Sequence, residues 1–218
     1  MPKLKEHVEE EIEIPFREFH LNGELIIPDE ATGVVLFAHG SGSSRHSPRN
    51  QFVARTLRQR GVGTLLFDLL TQDEEEEDRY TGHLRFDINL LAERLQGATK
   101  WFHGQAPDSL VGYFGSSTGA AAALVAEANG ELPVRAIVSR GGRPDLAGRA
   151  LPKVKAATLL IVGGEDTAVI GMNEQAYAQM RCPKELRIIP GATHLFEEPG
   201  TLEQVAEIAA GWFEGNMQ

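Results

Sequence analysis

The stretch Val111-Gly112-Tyr113-Phe114-Gly115-Ser116-Ser117-Thr118-Gly119-Ala120-Ala121-Ala122-Ala123 leaves the chain few ways to fold. An apolar run of strand type meets a Gly-x-Ser-x-Gly turn, and a row of alanines follows. A strand that turns at once into a helix forces the residue between them into strained dihedrals and presses its neighbours together, so only small side chains fit around it. Gly115 and Gly119 supply those positions, and the alanines let the helix lie close on a sheet. This arrangement predicts a fixed, exposed Ser117 hydroxyl. A turn of small residues satisfies the same spacing without any chemistry, so the rest of the chain must supply strands, helices and partners in a workable order.

Short runs without a wet face recur at 34–38, 63–67, 110–114, 136–139, 158–162 and 186–189. Strands of this kind are covered on both sides, as in a parallel sheet. Helical patterns lie between them, at 48–60, 86–103, 118–129, 170–181 and 201–214. Ahead of them, 8–16 and 19–28 alternate apolar and polar residues, and Asn22-Gly23 between His20-Leu21 and Glu24-Leu25 reads as the turn of an antiparallel hairpin. The expectation is an α/β fold: a mostly parallel central sheet of about eight strands, an antiparallel N-terminal hairpin, and helices on both faces. With 218 residues, 42% of them hydrophobic, the chain suffices for one sizeable core, and 1–218 reads as a single domain. The acidic run Asp73-Glu74-Glu75-Glu76-Glu77-Asp78 reads as a solvated loop or helix start on the surface, because consecutive like charges lack the spaced ligands of a cation cage.

Several function classes fall away on composition. A formal net charge of −10 with no cluster of Lys and Arg argues against nucleic acid and anionic membrane surfaces. Cys182 is the only cysteine, which excludes an internal disulfide and suits a reducing compartment. Met1 to Glu13 is charged, and no run approaches the roughly 20 apolar residues of a membrane span, so a cytoplasmic protein is expected. Gly40-x-Gly42-x-x-Arg45 carries Arg where a dinucleotide fingerprint needs its third Gly, and no His-Glu-x-x-His or Cys-x-x-Cys pair is present. No cofactor and no metal are expected.

Serine becomes a nucleophile when a base takes its proton and an acid holds that base in the right tautomer. Sites in open α/β sheets form at the carboxyl ends of the strands. His194, in Gly191-Ala192-Thr193-His194-Leu195-Phe196 after the last strand, is placed to be the base. His103 ends an amphipathic helix, where its charge suits the dipole, and His7 and His20 lie on the hairpin. For the acid, Gly163-Gly164-Glu165-Asp166 ends a buried strand in a glycine turn; Asp166 is chosen, with Asp145 after the preceding strand as its rival. The order Ser117, Asp166, His194 is that of an α/β-hydrolase. The oxyanion donors are expected to be the backbone N–H groups of Thr118 and Ser41, with Gly42 adjacent. His39 reads as a structural hydrogen-bonder. Gly42 is also a substrate-binding candidate; Arg45, His46 and Arg140, at predicted strand ends, are candidates for orienting an anionic substrate group, and each of these three has an equal structural or surface reading.

His39-Gly40-Ser41-Gly42-Ser43-Ser44-Arg45-His46-Ser47-Pro48-Arg49-Asn50, the elbow, Ser139-Arg140-Gly141-Gly142-Arg143-Pro144-Asp145 and Gly191-Ala192-Thr193-His194-Leu195-Phe196-Glu197-Glu198-Pro199 together resemble the compact serine α/β-hydrolases related to dienelactone hydrolases. The resemblance spans nearly the whole chain. It implies the α/β-hydrolase sheet, Ser117 as nucleophile, Asp166 as acid and His194 as base. Dienelactone hydrolases proper carry a cysteine in the elbow where this chain has Ser117. Some members of the serine group sit beside or are fused to phosphoribosyltransferase domains. The short connection between the strands near Ser139 and Thr158 has no room for a lid domain, and an open site suits small soluble substrates. The function expected is hydrolysis of small carboxylic esters through an acyl-enzyme. A thioesterase, lactonase or amidase with the same triad, and a non-catalytic ligand-binding protein, are the alternatives. The expected partner is a small-molecule ester, with the chain a monomer or a homodimer.

Overall fold

The computed structural model describes residues 8–31 and 33–218; His7 lies outside them. Eight strands, β1 (Val8–Phe16), β2 (Phe19–Ile27), β3 (Gly33–Ala38), β4 (Gly63–Phe67), β5 (Leu110–Ser116), β6 (Ala136–Arg140), β7 (Ala157–Gly163) and β8 (Lys184–Ile189), form one sheet. Its order is β1-β2-β4-β3-β5-β6-β7-β8. β1 pairs with β2, and β2 with β4, antiparallel; every later pair is parallel. Six α-helices, α1 (Pro48–Gln59), α2 (Gln72–Thr81), α3 (Ile88–Gln105), α4 (Thr118–Asn129), α5 (Thr167–Gln179) and α6 (Thr201–Asn216), and two 3-10 segments, Leu84–Phe86 and Pro144–Lys153, connect them.

The strand period of two divides each central strand between two cores. Val34, Leu36, Leu65 and Tyr113 pack with α3 and α4, while Val35, Phe37, Leu66 and Phe114 pack with α1 and α6. Each large apolar side chain fully buried here contributes about 1.5–3 kcal/mol. Ala120 to Ala123 are fully buried, so α4 meets its neighbours on every side. None of the described helices is long and apolar enough to cross a membrane.

The N-terminal strands fall where the alternation put them, but their turn does not. It is formed by Arg17 and Glu18, and Asn22-Gly23 lies inside β2, where Gly23 pairs with Ile12 on one side and Phe67 on the other. A Cβ on Gly23 would lie 3.1 Å from the Cβ of Phe67 and 3.2 Å from Cγ1 of Ile12. The glycine therefore marks close contact within a central strand, not a turn.

The acidic run is helix α2, and only its outer face is solvated as expected. Thr71 Oγ1 accepts the Glu74 N–H at 3.2 Å while Glu74 Oε2 accepts the Thr71 N–H at 2.8 Å, a capping box. Gly82, left-handed at φ 66, closes the other end. On the inner face Asp78 is buried and accepts hydrogen bonds from the Leu84 N–H, at 2.6 Å, and from Arg85 Nε.

Candidate active site

The carboxyl ends of β3 to β8 gather the functional candidates. Ser117 stands between β5 and α4 at φ 51, ψ −121, a conformation that costs a non-glycine residue about 1–3 kcal/mol. Its surroundings over-determine it. A Cβ on Gly119 would lie 2.1 Å from the carbonyl oxygen of Ala38, and one on Gly115 2.5 Å from Cα of Ala120. The Ser117 carbonyl accepts the N–H groups of Ala120 at 3.2 Å and Arg143 at 3.0 Å. Among the described residues its hydroxyl has no hydrogen-bond partner, and it is half-buried.

Asp166 follows β7 and is the N-cap of α5, yet its side chain caps nothing. It reaches across to Nδ1 of His194, 2.6 Å from Oδ2. That contact orients the ring, with Nδ1–H as donor and Nε2 free of protein partners. Asp145 is engaged elsewhere, by Nε and Nη2 of Arg143 at 2.9 and 2.8 Å. The His194 loop is secured on both sides of the ring. Glu198 accepts the Thr193 N–H at 3.0 Å and its hydroxyl at 2.6 Å, and the ring of Phe196 is buried in the core under α1 and α6.

Thr118 opens α4, and its backbone N–H has no acceptor among the described residues. Ser41 sits beside it, because its N–H donates to Thr118 Oγ1 at 3.1 Å. The loop after β3 is thereby docked on the start of α4. His39 ties the same loop to the one after β4: Nδ1 donates to the Gly40 carbonyl at 3.0 Å and Nε2 accepts the Leu69 N–H at 3.0 Å. Burial holds its imidazole below the ordinary value, as befits a ring committed to accepting a hydrogen bond.

A cavity of about 290 Å³ opens beside Ser41 and Thr118. Leu69, Leu70 and Leu91 give it apolar walls, and α2 with the Leu84–Phe86 turn gives it a charged one, of Glu75, Asp78, Arg79 and Arg85. Gly42 lies over this wall at φ 69, and a Cβ there would lie 3.6 Å from Arg85 Nη1. Arg45 is held by Asp68, through its backbone N–H at 2.8 Å and through its guanidinium. His46 is exposed, its N–H on Ser44 Oγ at 3.2 Å. Arg140, by contrast, is buried at the end of β6, with one contact, to Asn50 Oδ1 at 3.4 Å. Cys182 is buried, and burial pushes its thiol up. Among the described residues no group of three or more His, Cys, Asp or Glu side chains is arranged to hold a metal ion.

Sequence reasoning missed Asp68, Glu198 and Asn173. The last is fully buried in α5 and donates to the carbonyls of Gly142, at 3.0 Å, and Val169, at 2.8 Å, which fixes the turn after β6. Their types carry no signal of their own; only the fold shows what they touch.

No family model matches the sequence. Among solved structures the chain is similar to a dienelactone hydrolase from Anabaena variabilis, with 58% identity and a TM-score of 0.94 over 97% of this chain and 99% of that one. It shares its fold with Est1E from Butyrivibrio proteoclasticus, at 16% identity and a TM-score of 0.79 over 95% of this chain and 98% of that one. An α/β serine hydrolase without a lid, from Xanthomonas campestris, matches at 18% identity and a TM-score of 0.77 over 95% and 94% of the two chains. Two curated relatives from Mycobacterium tuberculosis, each provisionally named a phosphoribosyl transferase, are 54% identical over 208 residues, 94% of this chain. The chain spans about half, 46%, of the length of those relatives. By these likenesses the chain belongs to the dienelactone hydrolase-like group of α/β-hydrolases.

Proposed function

We propose, on the premise of that membership, that the protein is a serine hydrolase of small soluble carboxylic esters. The observation that carries this reading is the strained Ser117 elbow in company with the 2.6 Å Asp166–His194 pair. Ser117 Oγ attacks the carbonyl as His194 Nε2 takes its proton; His194 returns that proton to the leaving alkoxide, and Asp166 stabilises the imidazolium between the two transfers. A water then hydrolyses the acyl-enzyme by the same route. The Thr118 N–H is free to receive the oxyanion. The Ser41 N–H joins it by exchanging its bond to Thr118 Oγ1 for one to the substrate, and catalytic contacts commonly tighten in this way when substrate binds.

A cavity of about 290 Å³ takes a small acyl or alcohol group and not a long chain. Chain 1–218 works as one domain, in the cytoplasm, without cofactor or metal. The transferase in the names of the curated relatives is assigned to the part of those proteins that this chain does not match. A lactone is the second reading, favoured by the 58% identical dienelactone hydrolase; thioesters and amides follow with the same triad. Comparing kcat/KM for matched ester, lactone and thioester substrates decides the bond, and a preference of orders of magnitude for another bond overturns the ester.

The test of the whole reading is intact-mass spectrometry after exposure to a fluorophosphonate, with the adduct mapped. One adduct, on Ser117, is expected. An unlabelled folded protein would put a non-catalytic ligand-binding role in its place.

A further inference from the structure

Arg140 ends β6 directly opposite Ser116, the residue before the nucleophile. It is 7% exposed, and apart from the 3.4 Å contact of Nη2 with Asn50 its nitrogens are unpaired: Nε and Nη1 are buried without a partner. A guanidinium withdrawn from water needs a carboxylate or a full set of acceptors to offset its desolvation. No carboxylate lies within ion-pair distance of it among the described residues. Its charged neighbour is a second cation, Arg49; burial, with that like charge, pushes Arg140 down to about 10.

Arg49 belongs to the first turn of α1, which carries no acidic residue and presents the positive end of a twelve-residue helix. Its Nε is likewise buried without a partner, and its Nη1 meets Glu197 at 3.4 Å among exposed side chains. Two guanidiniums and a helix N-terminus thus converge without a buried counter-charge. The turn after β6, which follows Arg140, borders the His194 loop. A Cβ on Gly141, next to Arg140, would lie 3.0 Å from the His194 carbonyl oxygen and 3.7 Å from its Cε1.

We propose that Arg140 and Arg49, with the first turn of α1, bind a phosphate group carried by the substrate. The inference rests on the ester-hydrolase reading and names the substrate class: a small ester of a phosphorylated alcohol or acid. Three unpartnered N–H positions and two cations match the three terminal oxygens and double charge of a phosphate monoester better than a carboxylate, and Arg forks suit that geometry. Strand order supplies the layout. The cavity lies over the ends of β3 and β4, Arg140 ends β6, and Ser117 at the end of β5 stands between them. A substrate anchored by its phosphate at one side and its acyl group at the other presents its ester carbonyl to Ser117.

The experiment is titration calorimetry of the Ser117→Ala protein with inorganic phosphate and, separately, acetate. Binding read this way does not depend on turnover. Phosphate is expected to bind, more tightly than acetate, and Arg140→Met and Arg49→Gln are each expected to weaken it at least tenfold. Arg49→Gln, on the half-exposed partner, keeps the test open if Arg140→Met fails to fold. In the unsubstituted enzyme, kcat/KM for acetylated glycerol phosphate is expected to exceed that for acetylglycerol at least tenfold, and Arg49→Gln to erase the difference. Absence of phosphate binding, binding unmoved by both substitutions, or acetate bound as well as phosphate overturns the phosphate site. Phosphate binding lost with Arg49→Gln, in a protein that cleaves neither ester, upholds the anion site and overturns the ester reading instead.

Discussion

At the elbow, Ser117 is held by backbone: the carbonyl of Ala38 under Gly119, the Cα of Ala120 against Gly115, the N–H of Arg143 on its own carbonyl. Across the cavity, α2 is held by side-chain charge: Asp78 takes the Leu84 N–H and Arg85, and Glu74 takes Nη2 of Arg94 at 2.6 Å. One border of the site tolerates almost no change in residue type. The other exists only while particular pairs of residues, six to twenty positions apart in the chain, are both present. A reactive atom needs the first kind of support, because a shift of an ångström misplaces it. A cavity wall is served well enough by the second.

That contrast is sharpest where the elbow is cut. Ser117→Ala keeps every backbone contact and removes one oxygen, so kcat is expected to fall on the order of 10⁶-fold with the melting temperature close to the parent's; retained ester cleavage in steady-state assays would break the assignment. Gly119→Ala attacks the support itself. A methyl 2.1 Å from a carbonyl oxygen has nowhere to go, and a loss of about 3 kcal/mol or more in urea unfolding is expected, with fluorophosphonate labelling lost alongside. If the variant is as stable as the parent, the elbow is less rigid than its contacts indicate.

On the wall, Asp78→Ala strands the Leu84 N–H and the half-exposed Arg85. A loss of about 2 kcal/mol is expected, with KM for esters raised more than kcat is lowered; an unchanged KM would remove α2 from the substrate's surroundings. His39 joins the elbow side to the wall side through Leu69, and it responds to pH. Its folded imidazole resists protonation, so its contribution is complete above the ordinary value of 6.5 and is lost as pH falls below it, where the unfolded chain binds the proton. Thermal melts between pH 5 and 8 should show that slope, and His39→Asn should flatten it. The smallest effect lies away from both regions. A Cβ on Gly171 meets nothing within 4 Å, so Gly171→Ala in α5 should raise stability by about 1 kcal/mol, read from the urea midpoint.

The same contrast explains what could be read before the fold was known. Ser117, Gly115 and Gly119 announce themselves because their constraint acts between neighbours in the chain, and Asp166 and His194 because each follows a strand that declares itself by its apolar run. Asn22-Gly23 misled because the pair suits a tight turn, whereas Gly23 answers to the flanking strands Ile12 and Phe67 belong to. The acidic run 73–78 could be read as exposed charge but not as a cavity wall, since the inward duty of Asp78 depends on Leu84 and Arg85 and that of Glu74 on Arg94. Arg45 and Arg140 looked alike in sequence; Asp68 engages the first, whereas the second, at the end of β6, meets only Asn50 of α1.

The helix α2 has a beginning and an end of its own. Thr71 and Glu74 close it at the front, Gly82 closes it behind, and its buried link returns to the chain within seven residues, at Leu84 and Arg85. Beyond that link, the Glu74–Arg94 pair ties it to α3. It is therefore a separable cassette: its ten residues can be exchanged with the Ser117 elbow left as it stands.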